Sequence, residues 1–323
     1  MNVPSFRPGR RIDGVSAVLL PFTRTGTPDW DGFERLLHHT WAAGLTPAVN
    51  MDTGYVHLLD MDEREQVRAI AEAVAGGRRY VCGAFIDGVV AASGASDASD
   101  DPVALYQREI ERIRRRGGVP ILFQCTALAD RSEEDVLDVY RAVAGAGAPL
   151  LAFELGAMFA PFGRIYSTDF FVRLMEIDAF VGLKHSSLDR VAEWARLDLR
   201  DRHRPEFRIY TGNDLAIDMV FWGSDYLLGL SAFSVEGFAA RDRLWCQSDA
   251  RAFALNDLLQ YLGQVAFRPP VPAYRHSAAQ FLNLHGLIAA SCPHPSSPRR
   301  PDSDVALLED IARRLAAEIV RVS

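Results

Sequence analysis

The sequence contains almost no lysine: 34 of its 35 basic residues are arginine, and the single lysine is Lys184. Arginine provides surface charge and salt bridges as well as lysine does. Its guanidinium stays protonated, however, and is a poor nucleophile, so it cannot replace a neutral primary amine. The one side-chain amine that the sequence retains is therefore the first candidate for chemistry. The alternative is a leftover residue on a solvated surface.

Cysteine is scarce as well, and the cysteines that are present form no motif. The four lie far apart, without a CxxC pair, at positions 82, 125, 246 and 292. This spacing argues against a zinc ribbon and against a disulfide framework. It favours a protein of the reducing cytoplasm.

Long apolar runs and an excess of positive charge are also missing. No run approaches the roughly 18 apolar residues that span a bilayer, and residues 1–11 lack the apolar segment of a secretory signal. The net charge of −7 argues against a nucleic-acid partner. With 323 residues, of which 49% are hydrophobic, the chain can bury a large core. We therefore expect a cytoplasmic globular protein with no membrane partner.

Short apolar runs alternate with amphipathic helices along most of the chain. The eight runs, each followed by a helix, are 14–20, 47–50, 80–85, 120–124, 150–153, 179–183, 207–210 and 226–229. This alternation predicts an α/β protein, a closed parallel (β/α)8 TIM barrel, in preference to an open sheet. No glycine-rich dinucleotide fingerprint follows the first run, which weakens the Rossmann alternative.

The last part of the chain has a different character. Helical patterns at 250–267, 274–290 and 304–322 are separated by prolines and by a loop rich in proline and serine. We predict a barrel over residues 12–249 and a C-terminal helical extension over residues 250–323. The extension is expected to pack on the barrel or on a neighbouring subunit, without forming a separate catalytic domain.

Lys184 directly follows the sixth apolar run, so it belongs at the carboxyl end of a strand. Functional side chains of such barrels gather at that end. Apolar surroundings penalise the ammonium form and lower the pKa of the amine, which yields a neutral nucleophile near pH 7. Such an amine condenses with a ketone to form an imine. The imine then permits aldol cleavage, condensation or loss of water.

The residues around Lys184 resemble a known family. Residues 181–189, VGLKHSSLD, look like the Schiff-base strand of the dihydrodipicolinate synthase and N-acetylneuraminate lyase family of class I aldolases. Further similar pieces occur in the same order, at 18–22 with Asp29, at 52–54 with 58–64, at 211–214 and at 223–225. The resemblance spans residues 12 to 290. It implies a barrel with a C-terminal helical extension, a 2-oxo acid substrate, a homotetramer or homodimer, and no metal or organic cofactor.

The sequence also departs from that family at positions that carry its chemistry. Phe153 stands where the family has its catalytic tyrosine, and it has no hydroxyl. Asp52 replaces the first of two hydroxyl residues that bind the substrate carboxylate, and an ionised Asp52 would repel that carboxylate. Tyr55 replaces the glutamate that follows. These departures argue against the synthase and sialic-acid lyase activities themselves.

Other residues are candidates for the missing proton transfers. Glu154 and Asp52 are carboxyl groups at strand ends, where burial would raise a pKa into the range of a general acid or base. Tyr55 offers a phenol. We expect these three to act with Lys184, although each has the alternative of a hydrogen-bonded structural group. The expected substrate-binding residues are Thr53, Gly54, Phe153, Leu228 and Arg164.

Four more polar residues are interpreted as structural. His185 is expected to point away from the lumen of the barrel, and Asp214 to cap the helix after the seventh strand. His276 and His285 lie on C-terminal helices without metal-like spacing.

The sequence therefore favours a lyase, an aldolase or dehydratase, that joins Lys184 to a 2-oxo acid or related carbonyl compound through a Schiff base. One alternative is a catalytically degenerate barrel that binds or senses a small molecule; the retained lysine argues against it, because a binding protein could use arginine. Another is a metal-dependent barrel enzyme that uses Asp52, Glu154 and His185, although their order matches no defensible metal site.

Overall fold

The strands of the barrel lie where the apolar runs predict them. The computed structural model describes residues 3–88 and 101–322. Eight parallel strands close into one barrel in sequence order, from β1 to β8. The strands are β1 (Gly14–Ala17), β2 (Thr46–Val49), β3 (Val81–Ala84), β4 (Val119–Leu122), β5 (Leu150–Leu155), β6 (Phe180–Ser186), β7 (Arg208–Thr211) and β8 (Asp225–Leu228). The predicted (β/α)8 barrel is confirmed.

Helices connect the strands and cover the outside of the barrel. Those of the barrel are α1 (Trp30–Ala42), α2 (Met61–Ala75), α3 (Pro102–Arg115), α4 (Thr126–Ala129), α5 (Glu133–Ala144), α6 (Thr168–Met175), α7 (Arg190–His203), α8 (Met219–Trp222) and α9 (Val235–Cys246). Several begin at side chains that accept from the first free backbone N–H groups, such as Asp60 at α2 and Ser167 at α6. Within the described residues, no helix is long and apolar enough to cross a membrane.

Successive strand residues point alternately into the barrel and towards the helices. On β5, Leu151, Phe153 and Leu155 belong to the apolar cluster inside the barrel. Leu150 and Ala152 belong to the larger cluster between the barrel and its helices. Because the register pairs Phe153 with Lys184 on β6, the lysine shares the inward direction of Phe153.

The C-terminal extension consists of α10 (Arg251–Ala266), α11 (Tyr274–Leu284) and α12 (Asp304–Val322). Three prolines lie between α10 and α11, at 269, 270 and 272, and proline cannot continue a helix because it lacks the N–H group. The chain turns there and starts again at Tyr274. Helix α11 is shorter than the pattern 274–290 predicts, since Gly286 adopts a left-handed φ of 68° just beyond its end.

The segment after β7 differs from the sequence prediction. The pattern predicts a helix over 214–222, but only Met219–Trp222 is helical. Asp214 therefore caps no helix, and that expectation is wrong. Its Oδ1 instead accepts a hydrogen bond of 2.7 Å from the backbone N–H of Leu230. Leu230 lies just after β8. Asp214 thereby connects the loops that follow the last two strands.

Candidate active site

A small cavity lies at the carboxyl ends of the strands and contains Lys184. Its volume is about 20 Å³, close to that of one water molecule. The walls come from β5 and β6, from the loops that follow β2, β5, β7 and β8, and from the C-terminal extension. They are formed by Asp52, Thr53, Phe153, Leu155, Phe159, Lys184, Ser186, Gly212, Asp214, Gly229, Phe267 and Tyr274. Entry of a larger molecule requires side chains to move, and Phe159 is the partly exposed aromatic at the rim.

Lys184 is buried in largely apolar surroundings, with only 8% of its surface exposed. Its Nζ lies 4.3 Å from the centroid of the Phe153 ring. Loss of hydration lowers the pKa of Lys184 to about 8, while the negative charges of Asp214 and Asp52 partly oppose this. A substantial fraction of the amine is therefore neutral near pH 8, as a nucleophile requires.

Two glycines make room for the side chains of the cavity. A Cβ atom at Gly212 would lie 1.9 Å from Ser186 Oγ and 2.8 Å from Lys184 Cε. A Cβ atom at Gly229 would lie 3.0 Å from Thr53 Oγ1 and 3.1 Å from the Tyr274 ring. A larger residue at position 212 would clash with both Ser186 and Lys184.

Asp214 is a second buried ionisable group on the cavity wall. Burial raises the pKa of Asp214 to about 7, although its backbone hydrogen bond and the charge of Lys184 both favour the ionised form. A carboxyl group with this pKa exchanges protons readily at neutral pH.

Tyr274 reaches the cavity from the first residue of α11. Its hydroxyl lies 2.9 Å from Thr53 Oγ1 and 3.0 Å from Asp52 Oδ2. The phenol has one proton, which it donates to Asp52, so Thr53 donates its own proton to the phenol oxygen. The Tyr274 ring stacks on Phe267, with centroids 4.3 Å apart. The extension therefore contributes both an apolar wall and a hydrogen-bonded hydroxyl.

Asp52 lies at the end of this hydrogen-bonded chain, in a short 3-10 turn, Asp52–Gly54, that follows β2. Burial alone would raise the pKa of Asp52. The nearby charges of Arg275 and His57 and the bond from Tyr274 hold it below its ordinary value. Arg275 Nη1 lies 3.5 Å from Asp52 Oδ1, and His57 Nδ1 lies 3.6 Å from the same atom. Asp52 is therefore ionised at neutral pH, contrary to the raised pKa expected from sequence.

Glu154 faces the helices instead of the cavity, because it follows the inward-facing Phe153 on β5. Its Oε1 lies 2.5 Å from His185 Nδ1 and 3.0 Å from Arg196 Nε of helix α7. Burial would raise its pKa, but His185 and Arg196 lower the pKa of Glu154 to about 2. The raised pKa expected for this carboxyl is therefore wrong.

Four further predicted site residues lie outside the cavity wall. Tyr55 is buried against the rings of Phe22 and His294, and burial raises the pKa of its phenol. Gly54 follows Thr53 in the turn after β2, and Leu228 packs in the core between the barrel and its helices. Arg164 donates to the backbone oxygen of Arg131. The cavity thus unites Asp52, Thr53, Phe153 and Lys184 of the predicted set.

The three histidines interpreted as structural lie outside the cavity wall. His185 points out of the lumen, between Glu154 and Ser187 Oγ. His276 Nδ1 accepts from the backbone N–H of Arg300, and His285 Nδ1 lies 2.8 Å from the backbone oxygen of Phe281. Across residues 3–88 and 101–322, no group of three or more His, Cys, Asp or Glu side chains is arranged to hold a metal ion.

Sequence reasoning missed Tyr274 and Phe267 and assigned Asp214 a different place. The contact of Tyr274 with Asp52 and Thr53 joins segments more than 200 residues apart. No local sequence pattern predicts such a contact. A signal for Asp214 did exist, because Asp214 follows the seventh strand closely, as Lys184 follows the sixth apolar run.

Solved structures with the same fold are aldolase-type barrels. A dihydrodipicolinate synthase from Thermotoga maritima is 16% identical, with a TM-score of 0.76 over 95% of this chain and 99% of that one. A chloride-inhibited dihydrodipicolinate synthase from Acinetobacter baumannii, complexed with pyruvate, is 19% identical, with a TM-score of 0.73 over 96% and 99%. A catalytic-lysine mutant of the Ruminococcus gnavus sialic acid aldolase is 13% identical, with a TM-score of 0.76 over 97% and 98%.

The resemblance found in the sequence is thereby confirmed, and at these identities what the solved structures share with this chain is the fold. The chain belongs to the family described as "Protein of unknown function (DUF993)", whose model matches residues 17–287. No curated protein matches the chain at a significant level.

The titration of Lys184 can be measured directly, because the chain contains a single lysine. In protein labelled with ¹³C-lysine, we expect one Cε resonance whose shift titrates with a midpoint near pH 8, below the ordinary value of 10.5. Replacing Asp214 with asparagine should lower the midpoint further, since the carboxylate favours the ammonium form. A midpoint near 10.5 would show that the amine is hydrated.

The Glu154→Gln substitution tests whether this carboxylate has a structural role. It leaves the buried Arg196 guanidinium without a counter-ion, so we expect a loss of about 3 kcal/mol in the free energy of unfolding. The matched control is Glu134→Gln, which removes an exposed ion pair with Arg173 and should change stability little. Denaturant titration measures both. Unchanged stability combined with lost Lys184 reactivity would instead place Glu154 in the chemistry.

Proposed function

We propose that this protein is a lyase of the aldolase type, which binds its substrate covalently as an imine of Lys184. The observation that carries the proposal is a buried amine, the only lysine side chain in the sequence, in a cavity at the carboxyl ends of the barrel strands. Burial lowers the pKa of this amine to about 8. A residue kept only for its charge would be served equally well by arginine.

The chemistry that such an amine performs follows from its lone pair. Neutral Nζ attacks the carbonyl carbon, the carbonyl oxygen leaves as water, and a C=N bond replaces the C=O bond. Protonation of nitrogen gives an iminium ion, which withdraws electrons from the neighbouring carbon. That carbon can then lose a proton, or release a carbon fragment by aldol cleavage, and the electron pair moves into an enamine. The enamine carbon then takes up a proton and becomes the imine again. Water hydrolyses this imine, which releases the carbonyl product and restores the amine.

Two groups are placed to move the protons of this cycle. Asp214, with a pKa of about 7, is available in both protonation states at neutral pH and acts as general acid and base. The chain Thr53–Tyr274–Asp52 provides a second route, in which each hydroxyl accepts one proton as it donates another. Tyr274 thereby supplies, from the extension, the phenol that position 153 lacks.

The descriptions of two solved structures with this fold support the proposal. The Ruminococcus gnavus aldolase is described as a catalytic lysine mutant, and the Acinetobacter baumannii synthase as a complex with pyruvate. Pyruvate, a 2-oxo acid, is therefore one carbonyl compound to test. The homotetramer or homodimer and the cytoplasmic location stay predictions.

Reductive trapping tests the covalent step. With sodium cyanoborohydride and a panel of small aldehydes, ketones and 2-oxo acids, we expect at least one compound to form a stable secondary amine on Lys184. Peptide mass spectrometry locates the adduct. The Lys184→Met variant, which keeps the length of the side chain without the amine, should remain unlabelled beyond the N-terminal amine. Absence of any adduct at Lys184 across the panel would contradict the proposal.

The role of Tyr274 is tested by removing its hydroxyl. For a carbonyl compound that labels Lys184, NMR in D₂O follows the exchange of protons on the adjacent carbon, which reports the enamine. We expect Tyr274→Phe to slow this exchange by roughly 100-fold, the usual size of a general acid–base contribution, while trapping persists. The matched control is Tyr261→Phe on the exposed face of α10. Equal exchange rates in the two variants would remove Tyr274 from the proton path.

A further inference from the structure

The charges on the cavity wall limit the substrates that the site accepts. Among the described residues of the wall, the charged groups are Lys184, Asp52 and Asp214, with no arginine or histidine. When Lys184 becomes an iminium ion, its single positive charge already faces two carboxyl groups. A substrate that brought its own carboxylate would add a third acidic group to a buried space, where charges interact strongly.

Two arginines of the carboxyl-terminal side, Arg275 and Arg164, lie outside the cavity wall and contact other groups. Arg275 donates to the backbone oxygen of Asp52 and to that of Pro272, and its Nη1 lies 3.5 Å from Asp52 Oδ1. Arg164 donates to the backbone oxygen of Arg131 and its guanidinium lies over the Tyr166 ring. Neither guanidinium lines the cavity.

Hydroxyl groups suit this wall better than a carboxylate does. Asp52 and Asp214 present carboxyl oxygens, and a carboxylate accepts charge-assisted hydrogen bonds from O–H donors. Thr53, Ser186 and Tyr274 add hydroxyls, which both donate and accept. The rings of Phe153 and Phe267 provide apolar surface for carbon-bound hydrogens.

From this wall we infer that the substrate is an uncharged hydroxyaldehyde or hydroxyketone, whose carbonyl carbon is flanked by hydroxyl-bearing carbon and not by a carboxylate. This inference rests on the proposed imine at Lys184. It differs from the 2-oxo acid that the family resemblance implies, and the difference originates at Asp52, where the sequence has a carboxyl in place of a hydroxyl.

Hydroxyacetone and pyruvate make a matched pair of probes, because they differ only in a CH₂OH group in place of the carboxylate. Each is trapped on the protein with cyanoborohydride, and labelling of Lys184 is normalised to labelling of a lysine-containing peptide by the same compound. We expect half-maximal labelling at a hydroxyacetone concentration roughly 10-fold or more below that for pyruvate.

Removing one carboxylate tests the electrostatic cause. The Asp52→Asn variant should increase labelling by pyruvate relative to hydroxyacetone by roughly 10-fold, and an unchanged circular dichroism spectrum shows that the variant is folded. The charge-matched control, Asp62→Asn on the exposed start of α2, should leave the ratio unchanged.

The outcomes separate the two proposals. Labelling by pyruvate at equal or lower concentration than hydroxyacetone would overturn the inferred substrate class and leave the imine function intact. An unchanged ratio in Asp52→Asn would overturn the electrostatic argument. Failure of both probes, and of the wider carbonyl panel, to label Lys184 would overturn the proposed function and this inference with it.

Discussion

The burial of one amine among aromatic side chains is the interaction on which the candidate site depends. A pKa of about 8 in place of 10.5 corresponds to about 3 kcal/mol in favour of the neutral amine. The barrel achieves this by turning Lys184 inward against Phe153 and by limiting its compensating charges to Asp214 and Asp52. Gly212 leaves room for this arrangement, because Ser186 Oγ and Lys184 Cε lie where a Cβ atom there would clash.

The two-residue period of the strands sorts the polar groups into two networks with different properties. At the cavity, the inward-facing Lys184 and the loop residue Asp214 have pKa values of about 8 and about 7, both near neutrality. Outside it, Glu154 is held ionised by Arg196 and His185. Lys184 on β6 and Glu154 on the neighbouring β5 thus differ in chemistry, because Lys184 faces a cavity that contains few compensating charges and Glu154 faces a helix that contributes arginine.

The fold and the lysine could be predicted from the sequence, because both produce local signals: apolar runs at strand spacing, and one residue type that occurs once. The outward direction of Glu154 could also be predicted, since the apolar Phe153 and Leu155 alternate with it on β5. Its place at a strand end, taken alone, suggests a site residue instead. The place of Tyr274 in the site could not be predicted from the sequence. Its place depends on the chain turn at three prolines and on the contacts of α11 with the turn after β2, which local periodicity does not encode.

The C-terminal extension is therefore part of the site and not only a cover for the barrel. Phe153 on β5 has no hydroxyl, so it offers the lysine an apolar ring and no proton. The extension contributes the phenol of Tyr274 to the cavity wall. Its ring stacks on Phe267, and its hydroxyl joins Thr53 to Asp52. The phenol of Tyr274 and the ring of Phe153 are thus on different elements. Lys184 stays desolvated against Phe153, while Tyr274 supplies the proposed proton path. Asp52 ends the hydrogen-bonded chain as an anion and also lines the cavity, so one residue links the proposed proton path to the proposed choice of substrate.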